Sequence, residues 1–495
     1  MSDILLLNLN WINEQLNDKI NNLSPLNPLE LIYISCRLDQ QGIKNDLIDL
    51  WALNKSIGEI KTRICGAKII LLTTAQSYQY WRESISIDFQ KKNIKHIRRY
   101  NKTAKMILIG PQVTVQPEIF FEENIDFIVR GEPDLVAPRL VYNIINNKET
   151  YLPGVCIKKE GVWKHDNSFA SVNNLSELPL LRYDKLKVEK YNYPDKPPRY
   201  NPKNVAIYEA SRGCPNDCIF CFRVNFRDKF RKKSVRQIRK ELKILKKCNI
   251  DYIYLIDENF GADQRWSKLV CNEFKKQNIK WQCQTRPELL NKEFIKFISD
   301  SGCLIVNIGL ESTDEKILRF LNKSNISLSK FKESIVYMIK QNIQPTILFI
   351  IGSPYETKNT IKKSLDYILS FPLDKIFVYA KLMKPYPFTK MWELGLKENK
   401  NLVGFESVEE NAGIIMNSFK NTTVIRKECV KFNNKVWYEQ IKLRLKSNNK
   451  NDTMDYLKTI RYKTLIHFPW LDKPIAVGIY TSKKLWKKIL RYKLF

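Results

Sequence analysis

Apolar residues in this chain fall into short continuous blocks, separated by longer stretches in which they recur every three or four positions. In the first 150 residues the blocks are "DILLLNLN" (3–10), "KNDLIDL" (44–50), "KIILLTT" (68–74), "KMILIG" (105–110) and "DFIVRG" (126–131). Blocks of that length are strand-sized, and the spaced stretches between them read as amphipathic helices. "PLELIYISCRLDQQG" is one such helix, ending at Gly42, the residue type that most readily takes the left-handed conformation closing a helix. Strand–helix alternation at this spacing predicts an α/β fold with a doubly wound parallel sheet over residues 1–150. Such sheets bind ligands at the carboxyl ends of their strands, which makes the loops after Asn10, Thr74 and Gly110–Pro111 candidate binding positions. No GxGxxG sequence occurs, so a dinucleotide is not the expected ligand.

Residues 151–200 break the pattern. "YNYPDKPPRYNP" is rich in Pro and Tyr and reads as a connecting segment. A second alternation then runs over 201–395, with strands expected at 205–210, 252–257, 281–286, 304–310, 346–352 and 375–382. Strand–helix units in series predict a complete or partial α/β barrel, whose chemistry sits at strand C-termini. Residues 396–495 carry helical periodicity and form a smaller helical C-terminal region.

Composition narrows the class. With 44% hydrophobic and 12% aromatic residues the chain folds as a globular protein. No run approaches the roughly 18 uncharged apolar residues of a membrane-spanning helix, and "MSDILLLNLN" has no basic leader pattern. A soluble cytoplasmic protein is the expectation. The formal charge of +31 comes from lysines spread along the whole length and mixed with Asn and Ile. That spread points to coding bias more than to a nucleic-acid surface. "SKKLWKKILRYKLF" at the C-terminus is more pointed. Leu485, Trp486, Ile489 and Leu490 make one apolar stripe flanked by basic residues, which suits either an anionic membrane surface or packing on the protein body.

Most of the 11 cysteines stand singly in apolar or mixed surroundings, as small buried side chains do. Cys214, Cys218 and Cys221 depart from this: "CPNDCIFC" is C-x3-C-x2-C, placed directly after the first strand of the second series. Zinc normally takes four protein ligands, and the histidines, His96, His165 and His467, all lie far off in sequence. Three thiolates suit an iron–sulfur cluster with one iron left open, the reading favoured here over zinc or chance clustering.

C-x3-C-x2-C with Phe220 before the last cysteine resembles the radical S-adenosylmethionine signature. "LIDENFG" (255–261), "GLESTDEKILRFLNK" (309–323) and "IIGSPYET" (350–357) are similar to that family's second-, fourth- and fifth-strand segments. "PYPFT" (385–389) is similar to its Pro-x-Pro-Gly-Thr turn, with Phe388 in place of Gly. The N-terminal "GIKNDLID", "LIGPQVTVQPE" and "DFIVRGEPD" resemble the cobalamin-binding domain that precedes such barrels in one subgroup, although no Asp-x-His-x-x-Gly motif occurs.

The resemblance implies a 4Fe–4S cluster on Cys214, Cys218 and Cys221, with S-adenosylmethionine on its open iron and cleaved to a 5′-deoxyadenosyl radical. It implies cofactor contacts from Phe220, Asp257, Glu258, Asn259, Arg286, Glu311, Ser312 and Gly352. Thr74, Gly110 and Pro111 would contact cobalamin. The implied activity is cobalamin-dependent methylation of an unactivated carbon in a small-molecule or lipid-like substrate. A flavodoxin or ferredoxin would supply electrons, and the basic tail would give peripheral membrane contact. An oxidative cyclase without net methylation is the alternative within the family. A methylthio-transfer enzyme would need a second three-cysteine cluster, which Cys36 and Cys65 cannot supply. A non-catalytic iron–sulfur protein binding nucleic acid is the alternative outside the family.

Overall fold

The structure is a computed structural model and describes residues 2–10, 25–74, 87–165, 167–191, 200–222, 227, 229–398, 402, 412–413, 415–417, 419 and 421–446. Contacts divide the chain into two compact units, Met1–Tyr193 with Pro202–Arg212 and Phe230–Tyr254, and Pro194–Asn201 with Gly213–Lys229 and Leu255–Phe495.

The N-terminal sheet begins where the apolar blocks predict it, with β1 (Ile4–Asn8), β2 (Asn45–Asp49), β3 (Ile69–Thr73), β4 (Lys105–Ile109) and β5 (Phe127–Val129). Its order is β2-β1-β3-β4-β5-β6-β7. β1 pairs in parallel with both β2 and β3, Ile4 opposite Asn45 on one side and Ile69 on the other. Every residue of β1 is buried, which explains why "ILLLN" does not alternate: a central parallel strand is covered on both faces. α1 (Leu29–Gln40), α2 (Lys61–Cys65), α3 (Ile87–Tyr100), α4 (Pro111–Val115) and α5 (Pro133–Ile145) connect or follow these strands. Leu31, Ile34 and Leu38 of α1 and Leu140 and Val141 of α5 share one apolar core with Leu6, Ile107 and Val129 of the sheet. Gly42 has φ of 73°, as the helix ending there requires.

Beyond residue 150 the sheet continues. β6 (Val155–Lys159) and β7 (Val162–Lys164) add to it antiparallel, β6 on β5 and β7 on β6. The sequence reading placed these residues in a connecting segment. Their strands carry lysines on an exposed edge, so no apolar run marks them.

The second sheet contains β8 (Val205–Tyr208), β11 (Tyr252–Leu255), β12 (Lys280–Thr285), β13 (Cys303–Glu311), β14 (Gln344–Ile351) and β15 (Phe377–Leu382), in the order β15-β14-β13-β12-β11-β8. β12 to β15 are mutually parallel. A short antiparallel pair, β9 (Ser211–Arg212) with β10 (Arg231–Lys232), joins Arg212 opposite Arg231.

α6 (Val235–Lys247), α7 (Gln264–Lys276), α8 (Lys292–Asp300), α9 (Glu315–Phe320), α10 (Leu328–Lys340), α11 (Lys358–Leu369) and α12 (Lys390–Lys397) alternate with the strands. Each begins at a side-chain cap. Ser234, Asp263, Asn291, Asp314, Ser327, Thr357 and Thr389 accept from backbone N–H groups of the first turn, which otherwise lack partners. The fold is therefore α/β throughout, a doubly wound sheet and a partial (β/α) barrel, with a helical C-terminal part.

That part is α13 (Thr422–Lys446). Asn433, Trp437 and Gln440 lie on one stripe of it and bond the edge of the barrel sheet. Asn433 Oδ1 accepts from Ala380 N at 2.7 Å, and Trp437 Nε1 and Gln440 Nε2 donate to the carbonyls of Val378 and Ile376 at 3.2 and 3.0 Å. An edge strand with side chains on its free backbone groups cannot recruit another strand. "FESVEENAGIIMNSFKNTT", read as helical, shows a turn at 412–413 and bends at 415–417 among its described residues, and only its last two residues are helical, opening α13. The basic tail with Trp486 and Ile489, and most of the Pro/Tyr-rich segment at 191–202, lie outside the described residues. Among the described residues no helix is long and apolar enough to cross a membrane.

Candidate active site

The β9–β10 pair closes the stem of a loop, 213–229, that carries all three clustered cysteines. Gly213 opens it with φ of 83°. A Cβ there would lie 2.1 Å from the Lys229 carbonyl oxygen, so only glycine lets the two ends of the loop approach. Inside the loop Cys214 N donates to Arg227 O at 3.2 Å, and Cys221 N donates to Cys218 O at 3.0 Å. Cys218 is buried; Cys214 and Cys221 are half-buried.

Cations gather at Cys218. Arg286, at the exit of β12, donates from Nη1 to Cys218 Sγ at 3.1 Å. Burial pushes the Cys218 thiol up, while the Lys323 ammonium and the Arg286 guanidinium pull it back. Arg286 also pairs with Glu288. Asn216 Nδ2 donates to Cys214 Sγ at 3.3 Å. Among the described residues no set of three or more His, Cys, Asp or Glu side chains is gathered as a site for a single metal ion.

Lys323 is nearly buried and bonds the Glu311 carboxylate at 2.7 Å, and also the Gly309 carbonyl at 2.7 Å. The register of β13 on β14 slips between Gly309 and Glu311, and Glu311 has φ of 68°. A bulge of this kind re-aims the strand's last side chain. Gly309 keeps the space open, since a Cβ there would fall 2.2 Å from Glu311 Oε1. Ser312 is buried and its Oγ accepts from Asp314 N at 3.2 Å, supporting the cap of α9.

At the end of β11, Asp257, Glu258 and Asn259 are all buried. Glu258 faces the cysteine loop: Oε2 accepts from Gly213 N at 3.0 Å and Oε1 from Arg227 Nη1 at 2.9 Å. The Asn259 Oδ1 is buried without a hydrogen-bond partner among the described residues. Gly352, at the end of β14, has φ of 87° and packs against Gly413; its N–H donates to Glu356 Oε2 at 2.8 Å. Phe220 packs on a small apolar cluster of Ile219, Ile317, Leu321, Met383, Met391 and Ile415.

Four tyrosines that the sequence places at or near the ends of the expected barrel strands, Tyr208, Tyr355, Tyr379 and Tyr386, differ in their surroundings. Tyr208 is fully buried and donates to Glu241 at 2.7 Å, Tyr386 packs edge-on against Phe222 at 5.8 Å, and Tyr379 packs against Phe377 at 6.2 Å. Tyr355 stands under the Lys316 ammonium at 4.0 Å.

In the N-terminal unit a second group of polar atoms sits at the exits of β3 and β4. Thr74 Oγ1, Gln90 Oε1 and Gln112 Oε1 are buried and unpartnered among the described residues. Gln90 Nε2 donates to Thr74 O at 2.9 Å, and Gly110, φ 124°, lies so close that a Cβ would be 2.3 Å from Thr74 Oγ1. Buried acceptors and a backbone stripped of its Cβ suit a polar ligand inserted at the strand ends. His96 is carried by α3.

Sequence reasoning missed Arg227, Lys323 and Arg212 as parts of this arrangement. Only Lys323 carried a trace, as the lysine ending the segment "GLESTDEKILRFLNK". Their partners are distant in the chain, so no local spacing exposes them.

Comparison with known proteins adds the following. The model of the "Radical SAM superfamily" matches residues 208–368. An "uncharacterized methyltransferase" of Pyrococcus horikoshii is 27% identical over 382 residues, covering 75% of this chain and 79% of its own length. The anaerobic magnesium-protoporphyrin IX monomethyl ester cyclase of Cereibacter sphaeroides is 25% identical over 323 residues, 62% of this chain and 51% of its own. Among solved structures, the cobalamin-dependent S-adenosylmethionine radical enzyme OxsB, with aqua-cobalamin and S-adenosylmethionine bound, has a TM-score of 0.68 at 19% identity, covering 100% of this chain and 75% of its own. The radical S-adenosylmethionine methyltransferase TsrM of Kitasatospora setae, with cobalamin and a [4Fe-4S] cluster bound, has a TM-score of 0.63 at 15% identity, covering 80% and 75%. Residues 208–368 are thus a radical S-adenosylmethionine domain carrying the three-cysteine signature, and the chain as a whole shares the fold of the OxsB and TsrM structures.

Proposed function

We propose that the chain is a cobalamin-dependent radical S-adenosylmethionine methyltransferase acting on an unactivated carbon of a small-molecule or lipid-like substrate. Cys214, Cys218 and Cys221 would hold a [4Fe–4S] cluster with one iron left for S-adenosylmethionine. The observation that carries this reading is the donor set of the loop: three cysteines within eight positions, with Arg286 bonded to Cys218 and Lys323 beside it. A cluster held there would supply the electron for reductive cleavage of S-adenosylmethionine, and a corrinoid held in the N-terminal unit would supply a carrier for the methyl group.

The chain's own residues do the placing. Glu258 ties Gly213 and Arg227 together and so sets the path of the cysteine loop. Arg286 and Lys323 would offset the negative charge of a cluster held by these thiolates, and so favour its reduction. Lys323 also fixes Glu311 on its bulge, where it can accept from a ribose hydroxyl. Asn259 has a buried acceptor to offer an ammonium group, with Asp257 at the same strand end and Gly352 at the end of β14. Thr74, Gly110 and Pro111, with Gln90 and Gln112, fit the polar tail of a corrinoid in the N-terminal unit. The sequence has no Asp-x-His-x-x-Gly motif to offer a histidine to a bound corrinoid.

The 25% identity to a cyclase favours a second reading, oxidative ring closure without net methylation. Small-molecule profiles of cells making the intact chain or its Cys214→Ala form separate the two. A product heavier by one methylene, made only by the intact chain, supports methylation; a product differing by lost hydrogens supports the cyclase. Failure of the reconstituted, dithionite-reduced protein to release 5′-deoxyadenosine overturns both.

A further inference from the structure

A cleft of about 640 Å³ opens between α9 and α12. Its floor is apolar: Ile219, Phe320 and Leu394 belong to the small cluster under the cysteine loop. Its rim carries Lys316, Arg319, Lys390 and Lys397, all exposed, against the single carboxylate of Glu393. None of these four cations makes an ion pair among the described residues, whereas Lys323, one turn further on, is paired and buried.

Arg319 and Lys397 stand in the last turns of α9 and α12, where the helix dipole favours a cation, but helix stability does not account for the other two. Lys390 is the first residue of α12 and Lys316 lies in the first turn of α9, where a cation opposes the helix dipole. The cleft is wired to the cysteine loop. Ile219, between Cys218 and Cys221, lines it directly and accepts at its carbonyl from Met391 N at 3.1 Å. Asn322 Nδ2, on the same wall, donates to Asp217 O at 3.1 Å.

We propose that this cleft is the docking surface for a small acidic one-electron donor protein. The inference rests on the cluster assigned above to Cys214, Cys218 and Cys221. Exposed cations round an apolar floor recruit and orient an acidic partner, the floor giving contact and the charges giving on-rate and orientation. A small-anion site would instead converge buried donors, and the four cations here are exposed. One electron leaves the reduced donor and enters the cluster through the loop; no proton or group moves. The donor is oxidised by one electron and the cluster reduced by one.

The test uses the full-length protein, reconstituted without oxygen, and recombinant flavodoxin as the acidic donor. The variant Arg319→Glu/Lys390→Glu/Lys397→Glu is compared with Lys240→Glu/Lys243→Glu/Lys247→Glu, which makes the same charge change on exposed positions of α6. Flavodoxin binding is measured by calorimetry at low and high salt. The first variant weakens binding by roughly tenfold or more and flattens its salt dependence, and the second changes it by no more than about twofold. Unchanged binding in the first variant, or equal loss in both, overturns the proposal. Cleavage of S-adenosylmethionine driven by dithionite reports separately on the cluster assignment. The binding comparison decides the surface whichever way that assay falls.

Discussion

Arg212 and Asp134, separated by 78 positions in the chain, form a two-pronged ion pair with Nη1–Oδ2 and Nη2–Oδ1 at 2.8 and 2.9 Å, and neither side chain has any solvent exposure. Arg212 also bonds Glu209 at 2.7 Å, and its strand neighbour Arg231 bonds Glu132 at 2.7 Å. The two arginines that end the cysteine-loop stem are thus held by the two acids of "GEPD". Asp134→Asn is expected to destabilise the protein by about 3 kcal/mol, because it strands part of a buried guanidinium. Arg212→Met should cost a similar amount, and the double variant should cost clearly less than the sum. Urea unfolding of the three variants tests this, and strict additivity would refute the coupling.

Arg286 touches a cysteine sulfur, yet it is not a ligand. Arg286→Gln should keep most of its iron and sulfide after reconstitution and lose about 10- to 100-fold in 5′-deoxyadenosine formation, the range seen when outer-shell partners are removed. Iron content, the reduction potential and turnover are the readouts. A variant with native potential and native turnover would remove Arg286 from the site.

Glu356 titrates near neutrality. Burial pushes its carboxyl from 4.5 to about 7, against the pull of hydrogen bonds from Gly352 N, Ser353 N and Thr360 Oγ1. In the unfolded chain the group loses its proton at the lower value. Between these two values the folded state therefore holds more protons, and stability falls as pH rises through the window. The total is about 3 kcal/mol, complete above pH 7. Glu356→Gln should flatten this part of the stability profile, which thermal unfolding from pH 4.5 to 7.5 measures. An unchanged slope would assign it to other groups.

Gly110 tests the N-terminal site. With φ of 124° and Thr74 Oγ1 2.3 Å from any added Cβ, Gly110→Ala must push the Thr74 loop aside. A loss of about 1–3 kcal/mol in stability is expected from the strained backbone alone. Corrinoid retained after gel filtration of the cobalamin-loaded protein, followed by its visible absorption, should fall sharply. Retention equal to that of the parent chain would place the corrinoid elsewhere.

Local pattern carried the strands and helices of both sheets. Continuous apolar blocks such as "ILLLN" and "IILLT", short and bounded by polar residues, suit strands buried on both faces, and each barrel helix announces itself with a Ser, Asp, Asn or Thr cap. β6 and β7 escaped because an edge hairpin needs no apolar run. The cysteine loop was legible as well, since three ligands within eight positions need no fold to bring them together.

What tertiary structure decided is which charges meet. Arg227 with Glu258, Lys323 with Glu311, Arg286 with Cys218 and Arg212 with Asp134 are pairs whose partners lie 12 to 78 positions apart. A carboxylate at a strand end looks the same in sequence whether it faces a ligand or a neighbouring loop. Glu258 shows the difference: read as a cofactor contact, it spends both oxygens on Gly213 and Arg227. Burial makes such pairing obligatory, because an ion removed from water without a partner costs several kcal/mol. Sequence alone determined the elements and the loop that carries the cysteines. The packing of strand ends against one another decided the electrostatic surroundings of those cysteines, because the energy of a charge depends on distances that only the folded chain sets.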